Sequence, residues 1–273
     1  MYARHRWLRH GMLWLIIVVT YYPFVFVVLN SLKDNHQFTL NPFGLPWPLQ
    51  LDNYAAAWSG ISGFLFNTAY VAAITVVLVV LFSALASYAF SRFAFYGRNV
   101  LFALFIGLLM IPGVLTIIPL FFEVRTLQLS GTEWALILPY VANGQAISIF
   151  ILRSFFNELP EELFEAGRVD GAGEFYLFWR IAVPLSLPIL GAVAILTTLS
   201  VWGDFLWPVV ALNNHTAFTI SAGINYFSSS FGLVQNVGPV FASYVLATLP
   251  VVILIIFTMR TYISGLTSGA IKA

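Results

Sequence analysis

Cysteine is absent from the 273 residues, which excludes disulfides, thiolate metal sites and cysteine nucleophiles. Charge is scarce as well: Asp, Glu, Lys and Arg make up 8% of the chain, where a soluble globular chain carries about 25%. So few charges cannot cover a water-facing surface of ordinary size. Only two lysines occur, Lys33 after Leu32 and Lys272 after Ile271. A P-loop needs a Gly-Lys-Ser/Thr step whose lysine reaches the phosphates, so this chain holds none. The four histidines, His5, His10, His36 and His215, lack ligand-like spacing, and no metal site is expected. A formal net charge of +1 argues neither for nor against a polyanionic partner, and no nucleic acid is expected.

What is abundant is apolar surface, with 60% of residues hydrophobic and 17% aromatic. A helical span needs about 20 mainly apolar residues to cross a hydrocarbon core. Six stretches qualify: about 11–31, 64–90, 100–122, 134–156, 183–212 and 240–262. The first follows Arg4, Arg6 and Arg9 in the manner of a signal peptide. Its apolar run is too long, however, and Asn30-Ser31-Leu32 is a poor cleavage site, so it is read as an uncleaved anchor. The expected fold class is all-α, a polytopic membrane protein of six transmembrane helices in one domain over 1–273. The lipid bilayer is its first partner.

Lysine and arginine placement orients the spans. With the N-terminus inside, all of the twelve fall on the cytoplasmic side except Lys33 and Arg125. Both termini are therefore expected in the cytoplasm. Residues 32–63 and 213–238 then lie outside, and 157–182 form the largest cytoplasmic loop. The fifth span carries Pro184, Pro188 and Pro208 with Gly191 and Gly203. Interruptions of this kind are tolerated at membrane depth where protein or a wet cavity satisfies the freed backbone. Packing kinks and a helix lining a pathway both fit.

The cytoplasmic loop has the most structured sequence. Pro160-Glu161-Glu162 reads as a helix start. Glu158, Glu161, Glu162 and Glu165 are spaced three or four apart, which predicts one acidic helical face. Asp170-Gly171-Ala172-Gly173 then turns the chain ahead of Phe175, Leu177, Phe178 and Trp179. Small residues that admit a close neighbour, beside aromatics that offer area, fit a docking surface. An amphipathic helix resting on headgroups fits equally.

Glu165-Ala166-Gly167, three residues, Gly171, nine residues, then Ile181-x-Val183-Pro184 resembles the Glu-Ala-Ala loop of ABC-importer permeases. Gly167 stands for the second alanine and Val183 for the leucine. The likeness continues at Asn67, Ser87-Tyr88-Ala89-Phe90-Ser91-Arg92 and Met110-Ile111-Pro112. It extends to Trp134-Ala135-Leu136-Ile137-Leu138-Pro139-Tyr140, Asp204-Phe205-Leu206-Trp207-Pro208 and the tail from Gly265 to Ala270. Gly203 departs from the asparagine the family often places before the aspartate. Together these resemble the smaller six-span subunit of the carbohydrate-uptake, maltose-type branch.

The resemblance implies a type I ABC importer permease fold in a bacterial or archaeal plasma (inner) membrane. It implies a second permease subunit, two ABC ATPase subunits and an extracytoplasmic solute-binding protein as partners. The chain itself would be no enzyme and hold no cofactor, ATP and Mg being bound by the ATPase subunits. Glu165, Ala166, Gly167, Asp170, Gly171 and Ala172 would form the coupling contact, with Glu165 its polar anchor. The segment 213–238 would face the binding protein; read from its residues, it is equally a polar connector. The C-terminal tail would reach the ATPase interface. The cargo would be a sugar, a di- or oligosaccharide, with a polyol or glycerol phosphate as alternatives.

Asp204 is the single acid well inside a predicted span, and a charge at mid-membrane costs about 2.5–3.5 kcal/mol on insertion scales. It should therefore face protein or water. Trp202 and Trp207 flank it with faces suited to sugar rings, and Asn143 and Gln145 add polar candidates in the fourth span. Each could instead serve a helix–helix hydrogen bond. A secondary transporter would show internal repeats or an ion relay, for which Asp204 alone is a poor start. An intramembrane enzyme would need a nucleophile, base or metal set that the spans lack.

Overall fold

The computed structural model describes residues 2–231 and 236–268, with side chains for 10–230 and 236–258. All regular structure among the described residues is helical. The long apolar helices are α1 (Tyr2–Ser31), α3 (Asp52–Arg92), α6 (Trp134–Glu158) and α13 (Val237–Ser268). Each is long and apolar enough to cross a membrane alone. They match four of the six predicted spans. α3 is longer than expected: its 41 residues reach about 60 Å, twice a hydrocarbon core.

The other two spans are bent, which corrects the expected single helix over 100–122. That stretch is α4 (Arg98–Leu108) and α5 (Gly113–Thr126), joined at 99°. Pro112 cannot donate to the α4 ladder and instead caps α5 in an extended conformation. The fifth stretch bends by 76° between Glu174–Leu185 and Leu187–Gly203. The break falls at Ser186, between Pro184 and Pro188, and a second break follows at Asp204 and Phe205. Gly191 does not interrupt its helix. Counting each bent pair once gives six spans.

The chain packs as two compact units, Met1–Gly63 with Gly223–Pro250, and Phe64–Ala222 with Val251–Ala273. In the first, α1 leaves Met12 to Phe24 largely exposed along one face after another, as a helix in lipid can. Beyond it sits a polar knot. Lys33 is buried and donates to the carbonyls of Asn41 and Pro42, each at 3.0 Å. Burial without an acid partner pushes its amine below the usual lysine range. Asp34 caps α2 (Asn35–Leu40) in a reciprocal box with Gln37. Asn53 donates to the carbonyls of Ser31 and Lys33 at 2.9 Å, and Asn35 Oδ1 accepts from the Val237 amide at 2.8 Å.

The 213–238 segment is more than a connector, for it contains α12 (Ile220–Phe231). Ile220, Ile224 and Phe227 recur at helical spacing and are all buried. Residues 232–235 lie outside the described part. In the second unit α6 is the central helix. Leu136, Ile137, Ile149, Leu152 and Phe156 are fully buried. Gly144 lets α3 approach closely, since a Cβ there would lie 3.0 Å from Val79. Asn67 donates to the carbonyls of Thr216 and Phe218, and Thr68 Oγ1 accepts from the Ile220 amide at 2.7 Å.

A Cβ on Gly238 would lie 2.3 Å from the Lys33 carbonyl oxygen and closer still to Asn53. Backbone cannot yield cheaply, so Gly238→Val should cost about 1–3 kcal/mol. The check is thermal unfolding in detergent, where a lowered melting temperature is expected, against an unaffected Gly63→Ala control.

Candidate functional site

The loop after α6 folds into an elbow of short pieces: α7 (Glu161–Val169), a tight turn, α8 (Glu174–Leu177), one π-helical turn over Phe178–Ala182 and α9 (Val183–Leu185). Pro160 precedes α7 and Glu161 and Glu162 occupy its first turn, as predicted. The predicted single acidic face is not formed, because Glu158 ends α6 and Pro160 separates it from the other three. α7 ends in a Schellman motif. The Ala172 amide donates to the Gly167 carbonyl at 2.9 Å and the Gly171 amide to that of Arg168 at 3.0 Å. Gly171 takes φ +81°, a left-handed conformation that costs a residue with a Cβ about 1–2 kcal/mol. The glycine of the loop pattern is thus required by backbone geometry.

Gly167 has a different reason. A Cβ there would lie 2.5 Å from Leu177 Cδ2, so α7 and α8 touch where the side chain is missing. One turn earlier on the same face Phe164 is fully buried beneath Tyr88, 6.2 Å between ring centroids. The π turn follows from Pro184, which cannot donate to the Arg180 carbonyl; the Val183 amide reaches back to Phe178 instead.

An ion-pair chain locks the elbow to the end of α3. Arg92 binds Glu161 and donates to the carbonyls of Phe156 and Leu159 at 2.8 and 2.9 Å. Its guanidinium also lies over the Phe164 ring, 4.0 Å from the centroid. Arg168 bridges Glu161 and Glu174, each at 2.9 Å, and Tyr88 donates to Glu174 at 2.9 Å. The Arg168 hydrogen bond holds the Glu161 carboxyl below its ordinary value, and the charges of Arg92 and Arg168 help to offset the upward push of burial. Glu174 and Glu161 in turn raise Arg168.

The residues that the resemblance singles out stand apart from this lock. Glu165, Ala166, Asp170 and Gly171 are exposed, and Gly167 and Ala172 are partly so. Glu165 forms no ion pair among the described residues. Ala166, Gly167, Asp170, Gly171 and Ala172 line one shallow concavity with Tyr176 and Arg180. Val169 and Phe175 project into solvent beside it. The elbow therefore presents a small-residue hollow with an aromatic and acidic rim.

The substrate-path candidates divide. Asn143, Asp204 and Trp207 line a cavity of about 520 Å³ between α4, α5, α6 and α11 (Leu206–Ala211). Gln145 and Trp202 do not: Gln145 turns back to the Val141 carbonyl at 3.2 Å, and the Trp202 carbonyl accepts from Ser221 at 2.6 Å. Asp204 sits at a helix break, with Oδ1 accepting from the amides of Leu206 and Trp207 at 3.0 and 3.3 Å. Oδ2 accepts from the Tyr140 hydroxyl at 2.8 Å. Tyr140 lines the same cavity and is a residue the sequence did not single out as polar. Trp207 is buried, with Nε1 donating to the Ala135 carbonyl at 3.0 Å. The tail residues 265–268 carry no described side chains and 269–270 lie outside the described residues.

Residues 80–266 match the family of binding-protein-dependent transport system inner membrane components. The chain is 36% identical to an arabinooligosaccharides transport system permease of Halalkalibacterium halodurans, over 94% of this chain and 93% of that one. It is 32% identical to a diacetylchitobiose uptake system permease of Streptomyces coelicolor, over 95% and 86% respectively. In fold it is similar to a chain of a bacterial ABC transporter involved in alginate import, with a TM-score of 0.82 at 20% identity, covering 95% of this chain and 96% of the other.

A depressed carboxyl contributes stability above its unfolded value and loses it as pH falls through the folded one. The elbow should therefore stay closed at neutral pH and loosen only below the ordinary Glu range, near 4.5. Amide hydrogen exchange over 161–173 checks this: protection should fall at acid pH, and Glu161→Gln should abolish the pH dependence. Gly171→Ala should cost about 1–2 kcal/mol through the left-handed turn, with faster exchange at Ala172 at neutral pH.

Proposed function

Because the chain belongs to the family of binding-protein-dependent transport system inner membrane components, we propose that it is the permease subunit of an ATP-driven importer for a neutral di- or oligosaccharide. The observation that carries this reading is the elbow. It is fixed to the ends of two membrane helices on one side and offers an unpaired, small-residue surface on the other. A surface meant only to rest in water has no use for so rigid a mount. Glu165, Ala166, Gly167, Asp170, Gly171 and Ala172 receive a separate ATPase subunit, which supplies ATP and Mg. Two such subunits, a second permease and an extracytoplasmic binding protein complete the assembly.

Closure of the ATPase pair pushes α7. Arg92 then passes the displacement to α3 and to the end of α6 through contacts that are already made. The spans rock as rigid bodies about a midplane path. The excess of arginine and lysine on the elbow side supports placing both termini and the elbow in the cytoplasm.

The relatives named for arabinooligosaccharide and diacetylchitobiose uptake support a sugar cargo. The cavity beside Asp204 favours a neutral one, since no lysine or arginine lines it among the described residues. A glycerol phosphate would want such a charge. Tyr140, Asn143 and Asp204 supply hydroxyl, amide and carboxylate groups to the path. Because Asp204 already satisfies two amides and a hydroxyl, its first task is to hold the helix break, and Asn143 is the freer ligand for sugar hydroxyls.

Glu165→Lys reverses the exposed charge without touching the lock. In the reconstituted complex it should lower transport and binding-protein-stimulated ATPase at least tenfold, a cost of about 1.4 kcal/mol in the contact. Insertion and melting temperature should not change. Unaltered stimulation would remove the elbow from the coupling path.

A further inference from the structure

Arg153 lies on α6 between Leu152 and Ser154, five residues before the helix end, at the membrane face that carries the elbow. Its guanidinium sits over the Phe102 ring of α4, 3.7 Å from the centroid. Its Nε is buried without an acceptor, and it forms no ion pair among the described residues. The charge acting on it is that of Arg98, which has the same sign. Arg98 itself reaches only the Phe93 carbonyl, at 3.2 Å. Two arginines thus act on each other at the α4–α6 contact, and among the described residues neither forms an ion pair. Arg92, in contrast, six residues before Arg98, has a carboxylate partner in Glu161 and two carbonyl acceptors, although its Nε also lacks one. A guanidinium without a counter-charge near the membrane face is costly, and its planar fork suits a phosphate.

The surroundings say which phosphate. Tyr96 is fully exposed and Phe95 partly so at the start of α4, in the position where aromatic rings settle among headgroups. From Arg98 an exposed apolar strip runs down α4 through Leu101, Leu104 and Leu108, spaced three and four apart. Cations at the interface with an apolar strip of about 10 Å below them match an amphiphile.

We infer that Arg98 and Arg153 form a binding site for the phosphodiester of an anionic phospholipid, whose acyl chain starts along Leu101 and Leu104. The lipid neutralises both arginines and mortars α4 to α6. Free inorganic phosphate shares the headgroup chemistry but makes no use of the strip.

The test is native mass spectrometry of the full chain with its accompanying subunits, after delipidation and addition of phosphatidylglycerol or phosphatidylethanolamine of matched chains. Wild type should retain phosphatidylglycerol about tenfold over phosphatidylethanolamine, because arginines near the surface favour the anionic headgroup. Arg98→Gln/Arg153→Met should bring the ratio to about one, and Arg98→Lys/Arg153→Lys should keep most of it. Should the double variant fold poorly, Arg98→Gln alone, at a half-buried helix start, should still lower the ratio several-fold. Retention unchanged by these substitutions overturns the site. Equal thermal stabilisation by inorganic phosphate assigns the pair to a free anion and overturns the lipid. Lipid preference seen only in the isolated chain shows a partner's carboxylate in its place, with the same consequence.

Discussion

Arg92 concentrates the constraints of the second unit in one side chain. Its side chain is 6% exposed, and its charge is balanced by Glu161, by two carbonyls at the end of α6 and by the Phe164 ring. A buried guanidinium tolerates the loss of no partner cheaply, since the others would be left facing an unscreened charge. It therefore holds α3, α6 and α7 in one mutual geometry. Glu161 then fixes Arg168, Arg168 fixes Glu174, and Glu174 takes the Tyr88 hydroxyl back on α3. The chain of pairs closes on the helix where it began. A loop of short helices, each below the length that is stable alone, becomes rigid by this closure.

The membrane interior follows a second rule, that broken backbone must find partners within the protein. Asp204 serves this rule at the α10–α11 break, α10 being Leu187–Gly203, by accepting two amides and one hydroxyl. The acid expected as a lone charge in a span is thus a cap in a gap. Its placement also explains the cavity, which opens where α4 and α5 fold away from each other. The kinks of the proline-rich fifth span and the cavity beside Asp204 share one physical origin.

Much of this was legible in the residues. Apolar runs located the spans, and Gly171 announced a turn. The loop pattern identified a family that the comparisons bear out. Hydropathy did not reveal the bend at 109–112, because Leu109, Met110 and Ile111 are as apolar as the helices they separate. α12 hid behind its serines and one asparagine, although Ile220, Ile224 and Phe227 carried the spacing. Arg92 counted only as one more positive charge. Its partners lie 64 to 69 residues away, and no local pattern marks such a meeting. Tyr140 was hidden similarly, since one hydroxyl on an apolar helix does not name its acceptor.

The single π turn at Phe178–Ala182 has a bearing on how such a chain can vary. A wide turn holds one residue more than an α turn, so everything beyond it is rotated by about 100° relative to an uninterrupted helix. It acts as a phase adjuster between the elbow and α10. The face that α8 turns to the elbow and the face that α10 turns to α6 need not share one helical repeat. Substitutions that suit a new soluble neighbour can accumulate ahead of Phe178 without dragging the membrane-facing stripe out of register.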